Sequence, residues 1–516
     1  MASREESVES VERVGVLGLV LRLVWLALVV GVPFLGVWTA SSLAAYRNGP
    51  VWLVCLAGLL LFPVLPLIWD ARATTKRRSN PNGPRPSLGF FERVVLRTLF
   101  LNVAFLAVLV AAAPAGAFAA LQTRGDWFLE DREGPVVERL RSTLFDIAGG
   151  LEGLYKKTRK NRYVESIDPA SRDVSGPEPA PRRAESTIPR SATVPAIPTV
   201  PTGSTASGPQ STPTPHTVPA RTELPFASAH WPLAPALHPL VSSLPVSAET
   251  SIESVARYLA SNERDPWMRI KALHDYVADR VAYDVPAYRS GSFPPQDPES
   301  VFRSRLAVCA GYAQLLAALA KAAGEEVVVV TGDARLESSG VTGEGHAWNA
   351  ARIEGQWVLL DATWNAGSIS ERGFDKKYGT AYLFVPPEVI GVTHFPEDEA
   401  WQLRDAPLSR GEFFRQPVLR AGFFSAGLAL LSPTRSQIDA EREVVLRVAN
   451  PLGRSLLVNV VPEAGGGKTQ CSVSPGRESV VTCALPSRGR FVVKIFASGD
   501  SRAWHPLVGE LSVHGG

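Results

Sequence analysis

The sequence has little of several residue types that mark common protein classes. Its 516 residues include only four cysteines and two methionines, and the net charge is +3. A chain so close to neutrality gives no electrostatic case for a nucleic-acid partner. No Cys-x-x-Cys occurs, which disfavours thiol exchange. The eight histidines and four cysteines show no metal-ligand spacing, and no acidic loop of the calcium-binding type is present. The sequence therefore predicts neither a metal nor a cofactor.

Charge is also absent from three long apolar runs near the N-terminus, at about 23–45, 51–69 and 98–121. Each approaches the roughly 20 residues that a helix needs to cross a bilayer. The sequence thus predicts a membrane domain at 1–125 with three transmembrane helices and the lipid bilayer as a partner. A cleaved signal peptide is the alternative for the first run, and a buried core helix is the alternative for the other two.

Basic residues set the expected orientation. Six arginines and one lysine lie between the second and third runs, at 72–97, whereas only Arg47 lies between the first and second. Positive loops stay in the cytoplasm. We therefore expect a multi-pass cell-membrane protein with a cytoplasmic N-terminus and everything after about 123 exoplasmic, which in a bacterium means periplasmic or extracellular.

Composition divides the rest of the chain. A charged, partly helical juxtamembrane segment is predicted at 126–165, followed by a disordered linker rich in Pro, Ser and Thr at 166–245. A domain of mixed helices and strands is predicted at 246–410. Short strands separated by turns predict a β-sandwich at 420–516.

The four cysteines differ in expected role. Cys55 falls within a predicted span. Cys471 and Cys483 flank a strand–turn–strand pattern, and an oxidising compartment could join them in a disulfide, with two buried free thiols as the alternative. That pairing leaves Cys309 as the unpaired thiol beyond the membrane.

Cys309 opens a helix predicted from about 309 to 323, and a helix N-terminus stabilises a thiolate. His346 and Asp361 follow on two predicted strands, Gly345–Ile353 and Trp357–Thr363. A two-residue turn at Glu354-Gly355 would pair His346 with Thr363 and Trp348 with Asp361. His346 and Asp361 would then be diagonal neighbours on one face, within side-chain reach. Nucleophile, base and orienting acid are thereby expected to converge.

The motifs Val-Cys-Ala-Gly-Tyr-Ala, Thr-Gly-Asp-Ala-Arg, Gly-His-Ala-Trp-Asn and Trp-Val-Leu-Leu-Asp-Ala-Thr-Trp resemble the transglutaminase-like superfamily. The segments Thr-His-Phe-Pro and Trp-Gln-Leu, at 393–396 and 401–403, resemble its branch that includes kyphoscoliosis peptidase. The resemblance implies an α+β papain-like core with Cys309 as nucleophile, His346 as base and Asp361 as orienting acid. It does not imply the calcium dependence of animal transglutaminases.

The expected activity is acyl transfer through a thioester on a peptide or glutamine carboxamide, with a protein or peptide as substrate. Hydrolysis, as in a cysteine protease, and cross-linking to an amine both stay open. The backbone N–H of Cys309 is expected to bind the oxyanion, with Tyr283 as a candidate second donor. We interpret His394 as structural. The competing hypothesis is a non-catalytic envelope scaffold that binds peptide with the same fold.

Overall fold

The computed structural model describes residues 25, 28–46, 50–60, 64–78, 88–112, 114–129, 132, 134–156, 163, 167, 231–335, 343–499 and 504–516. The chain divides into two units, one of residues 1–159 with 409–414 and one of residues 160–408 with 415–516. Residues 168–230, which make up most of the predicted linker, lie outside the described residues.

The first unit is helical. Its helices within 1–159 are α1 (Leu28–Tyr46), α2 (Val51–Leu59), α3 (Leu65–Arg78), α4 (Phe90–Ala112), α5 (Pro114–Arg124) and α6 (Pro135–Lys156). The Trp38 indole donates a hydrogen bond to the Gly125 carbonyl at 2.7 Å. Arg141 and the fully buried Asp126 form an ion pair at 2.8 Å. These bonds tie α1 and α6 to the short segment that follows α5.

One helix among the described residues, α1, is long and apolar enough to cross a bilayer, judged by length and composition. A buried core helix or a signal sequence would meet the same criterion. The second predicted run is divided between α2 and α3, and the third between α4 and α5. The structure thus offers one candidate span where the sequence predicts three. Large apolar side chains are nevertheless exposed on this unit, including Trp52 at 67% and Phe100 at 62%.

The second unit opens with helices that precede its main sheet. The later helices of the chain are α7 (Pro239–Ser242), α8 (Ile252–Asn262), α9 (Pro266–Arg280), α10 (Val285–Ser290), α11 (Pro298–Ser304), α12 (Cys309–Ala323), α13 (Ala362–Ala366), α14 (Pro387–Ile390), α15 (Arg410–Arg415) and α16 (Ala421–Ser425). Ser251 and Asp265 cap α8 and α9 by accepting hydrogen bonds from backbone N–H groups in the first turn of each helix. Gly324, at φ 80°, ends α12 at the predicted position.

A five-stranded antiparallel sheet lies beside α12. Two short parallel strands, β1 (Ala282–Tyr283) and β2 (Leu306–Ala307), precede it, and a small hairpin of β6 (Gly367–Ser370) and β7 (Gly373–Lys376) lies apart. The sheet has the order β8-β5-β4-β3-β9. Its strands are β3 (Glu326–Ala334), β4 (Glu344–Ile353), β5 (Gln356–Leu360), β8 (Leu383–Val385) and β9 (His394–Pro396). The Asn349 side chain donates to the carbonyls of Ala313, in α12, and Val328, which joins helix to sheet.

The remaining strands form two sheets around one apolar core. They are β10 (Val418–Leu419), β11 (Ala429–Ser432), β12 (Gln437–Ala440), β13 (Glu443–Ala449), β14 (Ser455–Pro462), β15 (Thr469–Gln470), β16 (Ser472–Ser474), β17 (Glu478–Ala484), β18 (Gly489–Ser498) and β19 (Leu507–Gly515). Inward residues alternate with outward ones, as Val444, Leu446 and Val448 do on β13. Cys471 and Cys483 are joined by a disulfide within this core.

Candidate active site

Cys309 is the first residue of α12. A side chain from outside the helix holds the residue that precedes it. The Gln296 side-chain oxygen accepts a hydrogen bond from the Val308 N–H at 3.0 Å. The Gln314 side chain in turn donates to the Gln296 carbonyl at 2.9 Å. These two bonds fix where α12 begins and therefore where the sulfur lies. The role of Gln296 was not predicted, since a glutamine in a Pro-rich loop carries no periodic signal.

Gly311 explains part of the Cys-Ala-Gly motif. A Cβ atom at this position would lie 2.6 Å from the Gln296 Oε1 atom and 2.7 Å from the Ala307 Cβ atom, well inside van der Waals contact. The absence of a side chain therefore lets the first turn of α12 pack against the residues that position Cys309.

His346 lies on β4, and its Nε2 donates to Asp361 Oδ2 at 2.8 Å. The predicted hairpin is present: Glu354 and Gly355 both have positive φ, and Ile353 pairs with Gln356. The prediction that this strand reaches Thr363 is wrong, so His346 does not pair with Thr363. The strand β5 ends at Leu360 because the Asp361 side chain caps α13.

Asp361 uses all of its acceptor positions. Oδ1 accepts from the backbone N–H groups of Thr363 at 2.8 Å and Trp364 at 3.1 Å. Oδ2 accepts from His346 and also from His394 Nε2 at 3.1 Å. An ionised carboxylate offers about four such positions. The buried charge is therefore fully hydrogen-bonded and held in one orientation.

His394 was interpreted from the sequence as structural and beyond the hairpin, but the structure places its imidazole on Asp361. It lies on β9, which pairs with β3, and its Nδ1 is 2.9 Å from the Thr393 hydroxyl. A three-residue strand has too few positions to show an alternating pattern. The signal available in the sequence was the Thr-His-Phe-Pro segment, which indicated a family resemblance but no role for His394.

The electrostatics of the three groups are linked. Burial opposes protonation of His346, but the charges of Asp361 and Cys309, and hydrogen bonds to both, raise its pKa to about 10. Burial raises the pKa of Asp361, but the charge and hydrogen bond of His346 and the hydrogen bond of His394 outweigh it and hold that pKa well below its usual range. Burial is the main cause that lowers the pKa of His394 to about 4. At neutral pH we therefore assign Asp361 as ionised, His346 as protonated and His394 as neutral.

Tyr283 lies near the Cys309 thiol, as a second hydrogen-bond donor to the oxyanion must. Burial, followed by the charges of Cys309, Tyr163 and Tyr288 and a hydrogen bond with Tyr163, raises the pKa of the Tyr283 phenol far above its ordinary value, so the hydroxyl keeps its proton. Tyr163 and Ile167 belong to one cluster of buried residues with Cys309, whose own exposure is 1%. The thiol is therefore covered in this conformation.

Aromatic rings enclose the two imidazoles. The Trp364 ring centre lies 5.7 Å from that of His346 and 4.4 Å from that of His394, and the Trp348 ring stacks on His346 at 6.0 Å. His346, Asp361 and His394 could hold a metal ion by donor type, since their ligand atoms all lie within 4.8 Å of one another. Their nitrogen–oxygen distances of 2.8 and 3.1 Å are those of direct hydrogen bonds, so we assign protons to these positions.

Known proteins are similar to this part of the chain. Residues 253–362 match the family model described as the transglutaminase-like superfamily. The kyphoscoliosis peptidase of Mus musculus is 24% identical over 279 residues, which are 52% of this chain and 41% of that protein. The Homo sapiens kyphoscoliosis peptidase is 24% identical over 268 residues, 50% of this chain and 40% of that protein.

A solved structure described as a TGase covers 26% of this chain and 35% of that chain, with 20% identity and a TM-score of 0.20. The chain spans about two fifths of the length of both curated relatives, at 41% and 40%. The matched residues hold α12, β3, β4 and β5, together with Cys309, His346 and Asp361. Residues 253–362 thus resemble the transglutaminase-like superfamily, and about half of the chain is similar to kyphoscoliosis peptidases.

Proposed function

We propose that this chain is a cysteine acyl-transfer enzyme, with Cys309 as nucleophile, His346 as acid and base, and Asp361 as the group that orients His346. The observation that carries the proposal is the hydrogen bond between the buried His346 and Asp361 in the domain that holds Cys309 at the start of α12. The His346 imidazole is hydrogen-bonded to Asp361 at 2.8 Å, and the charges of Asp361 and Cys309 hold its pKa at about 10. An imidazolium beside a thiol favours the thiolate, which is the reactive form of cysteine.

The reaction proceeds in two steps. The Cys309 thiolate attacks the carbonyl carbon of a peptide bond or a glutamine carboxamide, and the carbonyl oxygen becomes an oxyanion. His346 gives its proton to the departing nitrogen, which leaves as an amine or ammonia, and a thioester forms. Water or an amine then attacks the thioester carbon while His346 takes a proton from it, the carbon–sulfur bond breaks, and the Cys309 thiolate leaves. The product is a free carboxylic acid, which ionises, or a new amide bond. Asp361 stays ionised throughout, and its carboxylate holds the Nε2–H group of His346 in one orientation.

The backbone N–H of Cys309 and the Tyr283 hydroxyl are the proposed oxyanion donors. Cys309 is the first residue of α12, and the first N–H groups of a helix have no partner within the helix. The raised pKa of Tyr283 keeps its hydroxyl protonated, which a hydrogen-bond donor requires.

The substrate is proposed to be a protein or peptide, because the homologues are named peptidases. Because of these names, we propose hydrolysis ahead of cross-linking. The test incubates the protein with a peptide library and, separately, with a glutamine-containing protein and a fluorescent primary amine. New peptide termini identify a peptidase, and amine incorporation identifies a transglutaminase. Cys309→Ala must abolish whichever product forms, and a product that survives this change contradicts the proposal.

A non-catalytic scaffold is the second candidate, favoured by the 1% exposure of Cys309. In that case the domain would bind peptide without cutting it. Labelling with iodoacetamide separates the two, since a catalytic thiol must be reached. Labelling at Cys309 that outpaces labelling of a free cysteine in a reference peptide supports the enzyme. A Cys309 that stays unlabelled, together with a cellular phenotype preserved in Cys309→Ser, supports the scaffold.

We further propose that the N-terminal 125 residues anchor the protein in the cell membrane through three passes, with residues beyond about 126 on the exoplasmic side. The exposed apolar side chains on α2 and α4 support this arrangement, because water is a poor solvent for such a surface. The disulfide between Cys471 and Cys483 fits an oxidising compartment such as a bacterial periplasm. The proposed domains beyond the membrane are a juxtamembrane helix at 126–165, a linker at 166–245, the transglutaminase-like domain at 246–410 and a β-sandwich at 420–516.

Cysteine accessibility tests the topology. Single cysteines replace Ser79, between the second and third runs, and Ser204, in the predicted linker, in a background of Cys55→Ala and Cys309→Ala. With a membrane-impermeant maleimide on intact cells, we expect labelling of Ser204→Cys only. Equal labelling of both variants in intact cells, or labelling of Ser79→Cys alone, contradicts the proposed orientation.

A further inference from the structure

One oxygen atom of the Asp361 carboxylate accepts hydrogen bonds from two imidazoles. Oδ2 accepts from His346 Nε2 at 2.8 Å and from His394 Nε2 at 3.1 Å, while Oδ1 is occupied by two backbone N–H groups. Without His394, one acceptor position of a fully buried carboxylate would have no donor. Buried acceptors without a hydrogen-bond donor are rare in proteins, because burial removes the hydrogen bonds to water and nothing takes their place.

The protonation state of His394 follows from its neighbours. Nε2 faces a carboxylate, so it must carry the proton. Nδ1 then accepts from the Thr393 hydroxyl at 2.9 Å, whose single proton is shared with the Ile390 carbonyl at 3.2 Å, while Tyr382 hydrogen-bonds to that hydroxyl in turn. The titratable groups that face His394 are Asp361, His346 and Tyr382. A neutral imidazole in this tautomer donates to Asp361 without adding a second positive charge beside His346.

We propose that His394 is a positioning residue for the site formed by Cys309, His346 and Asp361: it holds Asp361 Oδ2 in line with His346. This inference rests on the proposed function. His394 touches neither the thiol nor a substrate in the proposed reaction. It acts by fixing the carboxylate, and the carboxylate fixes the tautomer and orientation of His346.

The backbone around His394 holds this residue beside Asp361. Strand β9 is held against β3 by the pairs Gly332–Pro396 and Ala334–His394. A Cβ atom at Gly332 would lie 2.1 Å from the Phe395 carbonyl oxygen and 2.7 Å from the Trp348 ring, so glycine is required for β9 to approach. The Trp364 ring, 4.4 Å from His394, closes the other side. His394 thus has little freedom to move away from Asp361.

The pH dependence of Cys309 alkylation by iodoacetamide tests the proposal in the full-length protein without a known substrate. The His394 hydrogen bond lowers the pKa of Asp361, so its removal raises that pKa. In His394→Phe we therefore expect the loss of reactivity on acidification to begin at a higher pH, and the rate at neutral pH to fall on the order of tenfold. His394→Gln, which keeps an N–H donor, should recover part of both effects.

Two further variants make the result decisive. His505→Phe is the matched control, because its imidazole hydrogen-bonds to Ser455 elsewhere in the unit, and it should keep the wild-type profile. Thr393→Val removes the donor to Nδ1 and should shift the profile in the same direction as His394→Phe. If His394→Phe does not fold, the comparison of Thr393→Val with wild type decides the question.

The outcomes separate the two proposals. If wild-type Cys309 reacts readily and the profiles of His394→Phe and Thr393→Val coincide with wild type, the role of His394 is overturned while the enzyme proposal stands. If wild-type Cys309 shows no enhanced reactivity at any pH, the proposed function itself fails. A shifted profile in both variants, with partial recovery in His394→Gln, supports the positioning role.

Discussion

Replacing His394 with phenylalanine should change how the stability of the protein depends on pH. In the folded chain the pKa of His394 is lowered to about 4, chiefly by burial, against an ordinary value near 6.5. Between these values the unfolded chain binds a proton that the folded chain does not. Acidification from pH 6.5 to pH 4 therefore destabilises the wild type through this residue. Each pH unit is equivalent to roughly 1.4 kcal/mol, so the free energy of unfolding should fall by about 3 kcal/mol.

The measurement is urea unfolding at pH 7, 5.5 and 4.5, followed by tryptophan fluorescence, since Trp348 and Trp364 both contact His394. His394→Phe should be less stable at pH 7, because Asp361 loses a donor, but should lose less stability on acidification than wild type. His505→Phe controls for the substitution itself. Parallel stability curves for wild type and His394→Phe would refute the reasoning, because they would mean that His394 binds its proton equally well in both states.

Three other changes have definite expected outcomes. Gly311→Ala should destabilise the second unit by about 2 kcal/mol and slow Cys309 alkylation, because the new methyl group would overlap the Gln296 side chain; an unchanged alkylation rate would contradict this. Tyr163→Ser should speed Cys309 alkylation several-fold at unchanged pH dependence, because Tyr163 and Cys309 share one buried cluster; peptide mass spectrometry checks it, and a slower rate would count against a covering role. Replacing Cys471 and Cys483 with alanine should lower the free energy of unfolding by about 3 kcal/mol, since the disulfide closes a loop of 12 residues; the wild type under reducing conditions should match this double variant in a denaturant titration.

Local sequence signals predicted the elements that depend on local interactions. Helix α12 runs from Cys309 to Ala323 as expected, because good helix formers fill it and Gly324 ends it in the left-handed conformation. The hairpin turn at Glu354-Gly355 follows the same rule, since both residues adopt positive φ. Together these signals were enough to predict that His346 and Asp361 meet.

Predictions failed where a side chain competes with the backbone pattern. Residues up to Thr363 read as strand, but the Asp361 carboxylate captures the N–H groups of Thr363 and Trp364 and starts a helix instead. The predicted β-sandwich region at 420–516 likewise contains a short helix near its start, α16, from which Phe423 is buried, and Gly427, at φ 74°, ends the turn that follows.

Long-range partners were not predictable from one sequence. His394 reaches Asp361 only because β9 pairs with β3, about 60 residues earlier in the chain, and Gln296 reaches Val308 from a loop. Neither contact leaves a periodic trace, so no pattern in the sequence assigns these two residues their hydrogen-bond partners.

The central claim is that His346 activates the Cys309 thiol. The most direct measurement is the rate of Cys309 alkylation by iodoacetamide at pH 7 in wild type and in His346→Gln, resolved from Cys55 by peptide mass spectrometry. Removal of a catalytic imidazole costs on the order of a hundredfold or more in rate, and we expect a loss of that size at Cys309 with no change at Cys55. Equal rates at Cys309 in the two proteins would contradict the account.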